Sequence, residues 1–400
     1  MRDDKLSTAS DSIANLTPFT VDIPDSVLDD LARRLGNIRW PDEPDAAGWA
    51  FGANLGYMKR LAAYWRDGFD WRAAEARINR FPQFTAPVAM PNGDPLDLHF
   101  IHERGSGDDP LPLLLMHGWP GSVAEFLEVI EPLAHPERFG GDPQDGFDVI
   151  APSLPGFGFS GIPPVTIGPQ AVGAMMAHLM REVLGYERYV AQGGDWGGIV
   201  AARMALDHPE GLAALHVNIL PLRPSTGPED APLTEEEKAW FGAVKAHLRQ
   251  ETAYQDIQAT KPQTLAYGLT DSPIGLAGWI AEKFHGWTDP AAAEPPFAMD
   301  AILTNIAIYW VTGTINSSTR IYRGYREERC GALAPGQRIE VPMGLCLPPN
   351  DLFPPPPSSW VRRLGNVTHE TRLDRGGHFT AMEVGMPFVE DVRAFFRDYR

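Results

Sequence analysis

The chain has 400 residues and reads as an α/β protein, a mostly parallel central sheet flanked by helices and interrupted by a helical insertion. Three observations lead there. From about residue 96, short apolar runs alternate with helical stretches across Gly/Pro turns. Several of these runs are apolar throughout, as strands covered on both faces must be. Between residues 221 and 335 the alternation stops, and the sequence turns helix-rich, broken by Pro and Gly and dense in aromatics, in the manner of an inserted lid.

The elements follow in order. Residues 1–16 are polar and read as disordered or loosely attached. "IPDSVLDDLARRL" then sets Val27, Leu28, Leu31 and Leu35 at helical spacing behind a cap expected at Asp25 or Ser26. Prolines in "LGNIRWPDEPD" end that helix, and residues 57–81 return to helical periodicity with Tyr57, Tyr64, Trp65 and Trp71. Residues 1–95 are therefore expected to form an N-terminal helical extension that packs on core and lid. The core's first part, 96–220, carries the strand candidates "LDLHFIHE", "PLLLMHG", "FDVIAPSL", "RYVAQGG" and "LAALHVNIL", with a helix over 197–207. The lid spans 221–335, and the core's second part, 336–400, adds "VPMGLCL" and "VTHETRL". The run "PPNDLFPPPP" reads as a rigid loop. No internal repeat is evident.

Composition narrows the function. Lys+Arg 34 against Asp+Glu 52 gives a net charge of −18, which repels nucleic acid and anionic membranes as partners. Aromatic residues at 10% and hydrophobic residues at 44% suit a soluble protein with a sizeable core. The two cysteines, Cys330 and Cys346, form no paired motif, which favours a reducing, cytoplasmic setting. No apolar run is long enough to cross a bilayer, and no signal-peptide core is seen near the start.

Two short motifs carry the chemistry. "RYVAQGGDWGGIVAARMALDHP" reads as strand, sharp turn and helix, with Gly193, Gly194, Gly197 and Gly198 crowding around Asp195. A strained strand-to-helix turn of this kind presents its central residue as a nucleophile, and the helix N-terminus favours an anion there. Taken alone, Asp195 serves equally well as a helix N-cap. "LLLMHGWPGS" shifts that balance: an apolar strand ends in the HGxP turn His117-Gly118-Trp119-Pro120. Such a turn supplies a backbone N–H for an oxyanion hole, joined by the N–H after the nucleophile, here Trp119 and Trp196. The expected chain order of nucleophile, acid and histidine then selects Asp351 in "LPPNDLFP" and His378 in "LDRGGHFTAMEVG", with Asp374 and Glu383 as fallback acids.

Taken together, HGWPG, QGGDWGG, the lid segment and GGHFTAME resemble the microsomal-type epoxide hydrolase family of the α/β-hydrolase superfamily. The resemblance covers nearly the whole chain, including "FTVDIPDSVLDDLARRLGNIRWP". It implies two lid tyrosines that hold the epoxide oxygen. "ETAYQDIQATKP" matches the first and selects Tyr254, and "RIYRGY" matches the second and selects Tyr322, with Tyr325 as the alternative and Tyr267 and Tyr309 close by. The implied reaction converts an epoxide and water to a vicinal diol through an ester on Asp195, hydrolysed with His378 as base and Asp351 orienting it. The phenols donate to the opening oxygen without ionising at neutral pH.

The reading expects no cofactor and no metal. His99 and His102 in "HFIH" point to opposite faces of a strand and do not make a ligand pair. It expects a small apolar epoxide as ligand, no membrane anchor, and leaves a homodimer open. Trp240, Trp279, Trp287 and Trp310 suggest an apolar site. Two alternatives stand beside it: a haloalkane or haloacid dehalogenase, in which Trp119 and Trp196 would cradle halide, and a non-catalytic protein that keeps the fold as a hydrophobic pocket.

Overall fold

In the computed structural model, residues 16–228, 230–289 and 291–400 are described; residues 1–15, read from sequence as loosely attached, lie outside them. Nine strands form one sheet: β1 (Thr17–Phe19), β2 (Gln83–Ala89), β3 (Pro95–Glu103), β4 (Leu111–Met116), β5 (Phe147–Pro152), β6 (Tyr189–Gly193), β7 (Leu212–Val217), β8 (Ile339–Leu347) and β9 (Gly365–Arg372). Their spatial order is β1-β2-β3-β5-β4-β6-β7-β8-β9. The pairs from β1 through β3 to β5 are antiparallel and those from β5 to β9 parallel. This is the α/β-hydrolase fold expected from the sequence. All five residues of β6 and all six of β5 are buried, which is why these strands carry no polar alternation.

Strand order reverses at β4: β5 follows it on one side and β6 on the other. The parallel register sets Met116 beside Gly193. The loops leaving β4 and β6 therefore open into one crevice, at the sheet edge where ligands of such folds bind.

The helices bury the faces their sequences predict. Before the sheet proper come α1 (Asp25–Leu35), α2 (Leu55–Asp67) and α3 (Trp71–Ile78). Helix α1 buries Leu31 and Leu35 and carries an Asp30–Arg34 pair one turn apart. Its expected cap differs: the helix starts at Asp25 behind Pro24, and neither Asp25 nor Ser26 caps it, because Asp25 already lies inside the first turn. The expected helical stretch 57–81 divides at Gly68, whose added Cβ would lie 2.7 Å from the Tyr64 ring. Asp70 then caps α3 through the Ala73 amide at 3.2 Å. These helices dock on the insertion. Arg34 reaches Asp271 at 2.9 Å, Trp49 stacks on His285 at 4.0 Å, and the Tyr64 hydroxyl meets Asp300 at 2.9 Å.

Strand β2 escaped the sequence reading because Pro87 interrupts it. Only Gln83, Phe84 and Thr85 pair with β1, so Pro87 lies where no second neighbour needs its missing N–H. After β5 come α4 (Pro169–His178) and, directly from β6, α5 (Asp195–Asp207).

The insertion holds α6 (Glu235–Glu251), α7 (Ala253–Thr260), α8 (Pro262–Asp271), α9 (Pro273–Gly286), α10 (Met299–Thr312) and α11 (Ile315–Glu328). A capping box starts α6: Thr234 Oγ1 accepts from the Glu237 amide at 3.2 Å, and Glu237 accepts from the Thr234 amide at 2.9 Å. Glu237 also takes a forked pair of bonds from Arg363, tying the first turn of α6 to the segment before β9. Helix α12 (Met386–Phe396) closes the chain against the sheet. Among the described residues, no helix is long and apolar enough to cross a membrane.

Candidate active site

The crevice is built from two tight turns. Asp195 opens α5 with φ +47°, a left-handed conformation rare outside glycine, so its carboxylate projects from the end of β6. Small neighbours permit this. A Cβ on Gly197 would lie 2.1 Å from the Met116 carbonyl, and one on Gly193 would lie 2.3 Å from the Gly197 backbone. Gly193, Gly197 and Gly198 thus let helix, strand and neighbouring strand pack at backbone contact, while Gly194 leaves room for the Asn218 side chain.

The turn after β4 faces this carboxylate. The Trp119 amide donates to Asp195 Oδ1 at 2.7 Å, and a Cβ on Gly118 would lie 2.2 Å from the same oxygen. His117 braces the turn: its Nδ1 sits 2.9 Å from the Gly118 carbonyl, and its Nε2 accepts from the Leu154 amide at 3.2 Å. Burial pushes the His117 imidazole down to about 4, so it stays neutral. From the lid, Asn305 Nδ2 donates to the Pro120 carbonyl at 2.7 Å and the Tyr309 hydroxyl to the Gly121 carbonyl at 2.6 Å.

Asp351 and His378 arrive on neighbouring loops. Asn350 and Gly377 form a parallel bridge, which sets the two side chains together. His378 Nδ1 lies 2.6 Å from Asp351 Oδ1, and its Nε2 lies 3.4 Å from Asp195 Oδ2. The His378 amide donates to the Trp287 carbonyl at 2.9 Å, and the Trp287 ring packs 4.7 Å from the imidazole. Burial alone would lower the His378 pKa, but the charges and hydrogen bonds of Asp351 and Asp195 reverse that and hold it well above its ordinary value.

Tyr254 on α7 and Tyr322 on α11 close the crevice from above. Both are 4% exposed, and their rings lie 5.8 Å apart. Trp119 stacks on Tyr254 at 5.5 Å, and Trp196 meets Tyr322 edge-on at 4.6 Å. Burial first raises both phenols well above their usual range, helped by the Asp195 charge at Tyr254 and by Tyr254 and then Asp195 at Tyr322, so they remain protonated. Among the described residues the buried Tyr322 hydroxyl has no hydrogen-bond partner, while Tyr254 accepts from Gln255 at 3.0 Å. The indole N–H groups of Trp119 and Trp196 are likewise buried and unpartnered.

Asp195, Trp196, Tyr254, Tyr322, Asp351 and His378 line one cavity of about 930 Å3, walled by Ile199, Ile219, Trp240, Phe241, Leu248 and Leu352. That volume and lining suit an apolar small molecule.

The alternatives are placed differently. Tyr325 lines the same cavity and packs 5.3 Å from the Trp196 ring, with its hydroxyl turned against Gly331, whereas Tyr267 is 73% exposed and Tyr309 holds the Gly121 carbonyl. Asp374 is exposed, and Glu383 accepts from the Phe379 amide at 3.0 Å. Of the four tryptophans read as an apolar site, Trp240 lines the cavity and Trp279, Trp287 and Trp310 do not; Trp287 packs behind His378. Trp279 bonds Gln258 at 2.8 Å, and Trp310 lies under the Arg34 guanidinium at 5.7 Å. One carboxyl was missed: Glu125, whose Oε1 lies so close that a Cβ on Gly121 would meet it at 1.3 Å. Burial pushes Glu125 up to about 8. Nothing in "GSVAEF" distinguishes this acid from a surface one.

The chain as a whole is similar to known epoxide hydrolases. Residues 16–126 match a family model described as epoxide hydrolase N terminus, and residues 112–265 one described as alpha/beta hydrolase fold. A Stigmatella aurantiaca protein carrying an epoxide hydrolase name is 41% identical over 96% of this chain and 86% of its own length. Epoxide hydrolase 1 of Sus scrofa is 31% identical, with 95% and 88% covered. The solved structure of Aspergillus niger epoxide hydrolase superposes with a TM-score of 0.82 at 31% identity, covering 98% of each chain.

Proposed function

The chain belongs to the epoxide hydrolase family and hydrolyses an epoxide to a vicinal diol, and from that premise we propose that Asp195 is its nucleophile. The observation that carries the proposal is the placement of the Asp195 carboxylate between the Trp119 amide, the His378 imidazole and the two buried phenols. A carboxylate suits attack on saturated carbon, because the resulting ester persists until water is activated.

In the first half-reaction an Asp195 oxygen bonds to an epoxide carbon, and that carbon's bond to oxygen breaks. Tyr254 and Tyr322 donate to the departing oxygen and pass it a proton, which the imidazolium of His378 replaces. In the second, neutral His378, oriented by Asp351, takes a proton from water, and the hydroxide adds to the ester carbonyl carbon. The amides of Trp119, which already donates to Asp195 Oδ1, and of Trp196, in the first turn of α5, hold the oxyanion. Collapse releases the diol and returns Asp195 as carboxylate and His378 as imidazolium, so charge and protons balance over the cycle.

We extend the proposal to organisation: an extension to residue 95, a core of 96–220 and 336–400, and a lid of 221–335. The buried, unpaired cysteines Cys330 and Cys346 support a cytoplasmic, reducing setting. A homodimer is a further proposal, which sedimentation of the purified chain tests.

The decisive experiment uses styrene oxide with Asp195→Asn and His378→Gln. The first is expected to form no diol and no adduct. The second is expected to accumulate protein of wild-type mass plus one substrate, mapped to the peptide containing Asp195. An adduct on any other residue, or diol formation by Asp195→Asn, defeats the assignment. Chloride release from 1-chlorobutane by the wild-type chain would instead favour the unpartnered indoles as a halide cradle.

A further inference from the structure

One buried cation is left unused by that scheme. Lys283 on α9 is 6% exposed, and lysine is almost never buried without a reason. Its ammonium stands over the Tyr254 ring, 4.3 Å from the centroid, and 5.6 Å from the Trp287 ring. Its ion-pair partner is the adjacent Glu282 at 2.5 Å, a side chain 26% exposed.

Burial and nearby negative charge oppose loss of the Tyr254 proton, and the Gln255 side-chain amide that donates to its hydroxyl only partly offsets them. Asp195 and Glu282 place negative charge near it, and Trp119 and Tyr322 bury it. Among the described residues, Lys283 is the one cation that lies against its ring.

We infer that Lys283 is a positioning and tuning residue for epoxide opening, acting through the face of the Tyr254 ring. As the carbon–oxygen bond breaks, Tyr254 shares its proton with the departing oxygen and its ring gains phenolate character. A cation above the ring attracts that added density, so its pull is stronger in the transition state than in the ground state. Burial keeps the pull from being screened by solvent. Glu282 balances the ammonium in the resting protein from the more exposed side. Lys283 moves no proton and touches no substrate atom. The inference rests on the reading of Tyr254 as donor to the epoxide oxygen.

The test separates the two half-reactions by stopped-flow tryptophan fluorescence with styrene oxide, alongside melting temperature. Lys283→Met keeps the stem's length and removes the charge. It is expected to slow alkylation about tenfold and leave ester hydrolysis within twofold, and Lys283→Arg is expected to restore most of the alkylation rate. Glu282→Gln frees the ammonium of its counter-charge and is expected to speed alkylation or leave it unchanged; it also serves if Lys283→Met does not fold. Wild-type alkylation in Lys283→Met overturns the inference, as does an equal fall in both half-reactions with a lowered melting temperature, the mark of a merely structural lysine. So does slower alkylation in Glu282→Gln. Tyr254→Phe tests the underlying reading separately: if it alkylates normally, the tyrosine assignment fails; if it is slow while Lys283→Met is not, only the role of Lys283 fails.

Discussion

The Trp119 amide donates to Asp195 Oδ1 across 2.7 Å, so the proposed nucleophile is aimed by the loop after β4 and not by its own helix alone. Gly118 makes the approach possible, since a Cβ there would overlap the carboxylate. Gly118→Ala is therefore expected to reduce kcat at least a hundredfold, on the scale of losing one positioned donor. Circular dichroism should stay wild-type. A variant within fivefold of wild-type activity would show that the contact does not aim the carboxylate.

Alkylation changes the charge that His378 feels. In the resting protein the two carboxylates raise the imidazole well above its ordinary value, so it is protonated at neutral pH. Ester formation removes the Asp195 charge, and the imidazole pKa falls with it. The single-turnover rate of ester hydrolysis should then rise with pH through a midpoint lower than the one seen for the resting imidazole by NMR titration. Coincident midpoints would sink the idea. Asp351→Asn takes away the other supporting charge and is expected to slow hydrolysis at least a hundredfold.

Tyr254 and Tyr322 approach the same space from two lid helices. Each single change to Phe should slow alkylation by about a hundredfold, and the double change should remove it, because no other buried phenol replaces them. Rapid-quench measurement of adduct formation in a His378→Gln background isolates that step. A Tyr322→Phe variant at the wild-type rate, with Tyr325→Phe slow, would transfer the role to Tyr325.

Away from the site, Asp391 joins three elements beneath the sheet. It binds His216 at 2.8 Å, His369 at 2.9 Å and Thr371 at 2.6 Å. Burial would raise its pKa, but these donors outweigh burial and hold it well below the usual carboxylate range. A depressed carboxylate stabilises the fold above its unfolded pKa, and that contribution is lost as pH falls through the folded value. Asp391→Asn should cost roughly 3 kcal/mol at neutral pH, measured by urea unfolding, because it leaves His216 buried beside a poorer acceptor. The deficit should shrink on acidification below about pH 4.

Much of the candidate site was legible because each part is a local motif that follows a strand. QGGDWGG and HGWPG each encode their own turn, and the register of Met116 beside Gly193 does the rest. Asp351 and His378 were found by chain order, and the Asn350–Gly377 bridge brings them together. What stayed hidden depends on contacts between distant segments. Lys283 reads as an ordinary helix charge until Tyr254 is folded over it, and Glu125 until Gly121 leaves it room. Strand β2 was concealed by Pro87, which central strands exclude but this edge tolerates.

The left-handed backbone at Asp195 has an energetic consequence for the whole chain. A side chain held there costs about 1–2 kcal/mol, whereas glycine adopts the conformation freely but gives up roughly 0.5–1 kcal/mol through its looser unfolded state. Asp195→Gly should accordingly melt no lower than wild type while making no diol, as differential scanning calorimetry would show. Thermal robustness alone would then favour glycine at this turn, so the proposed nucleophile stands where stability and chemistry make opposite demands on one backbone position.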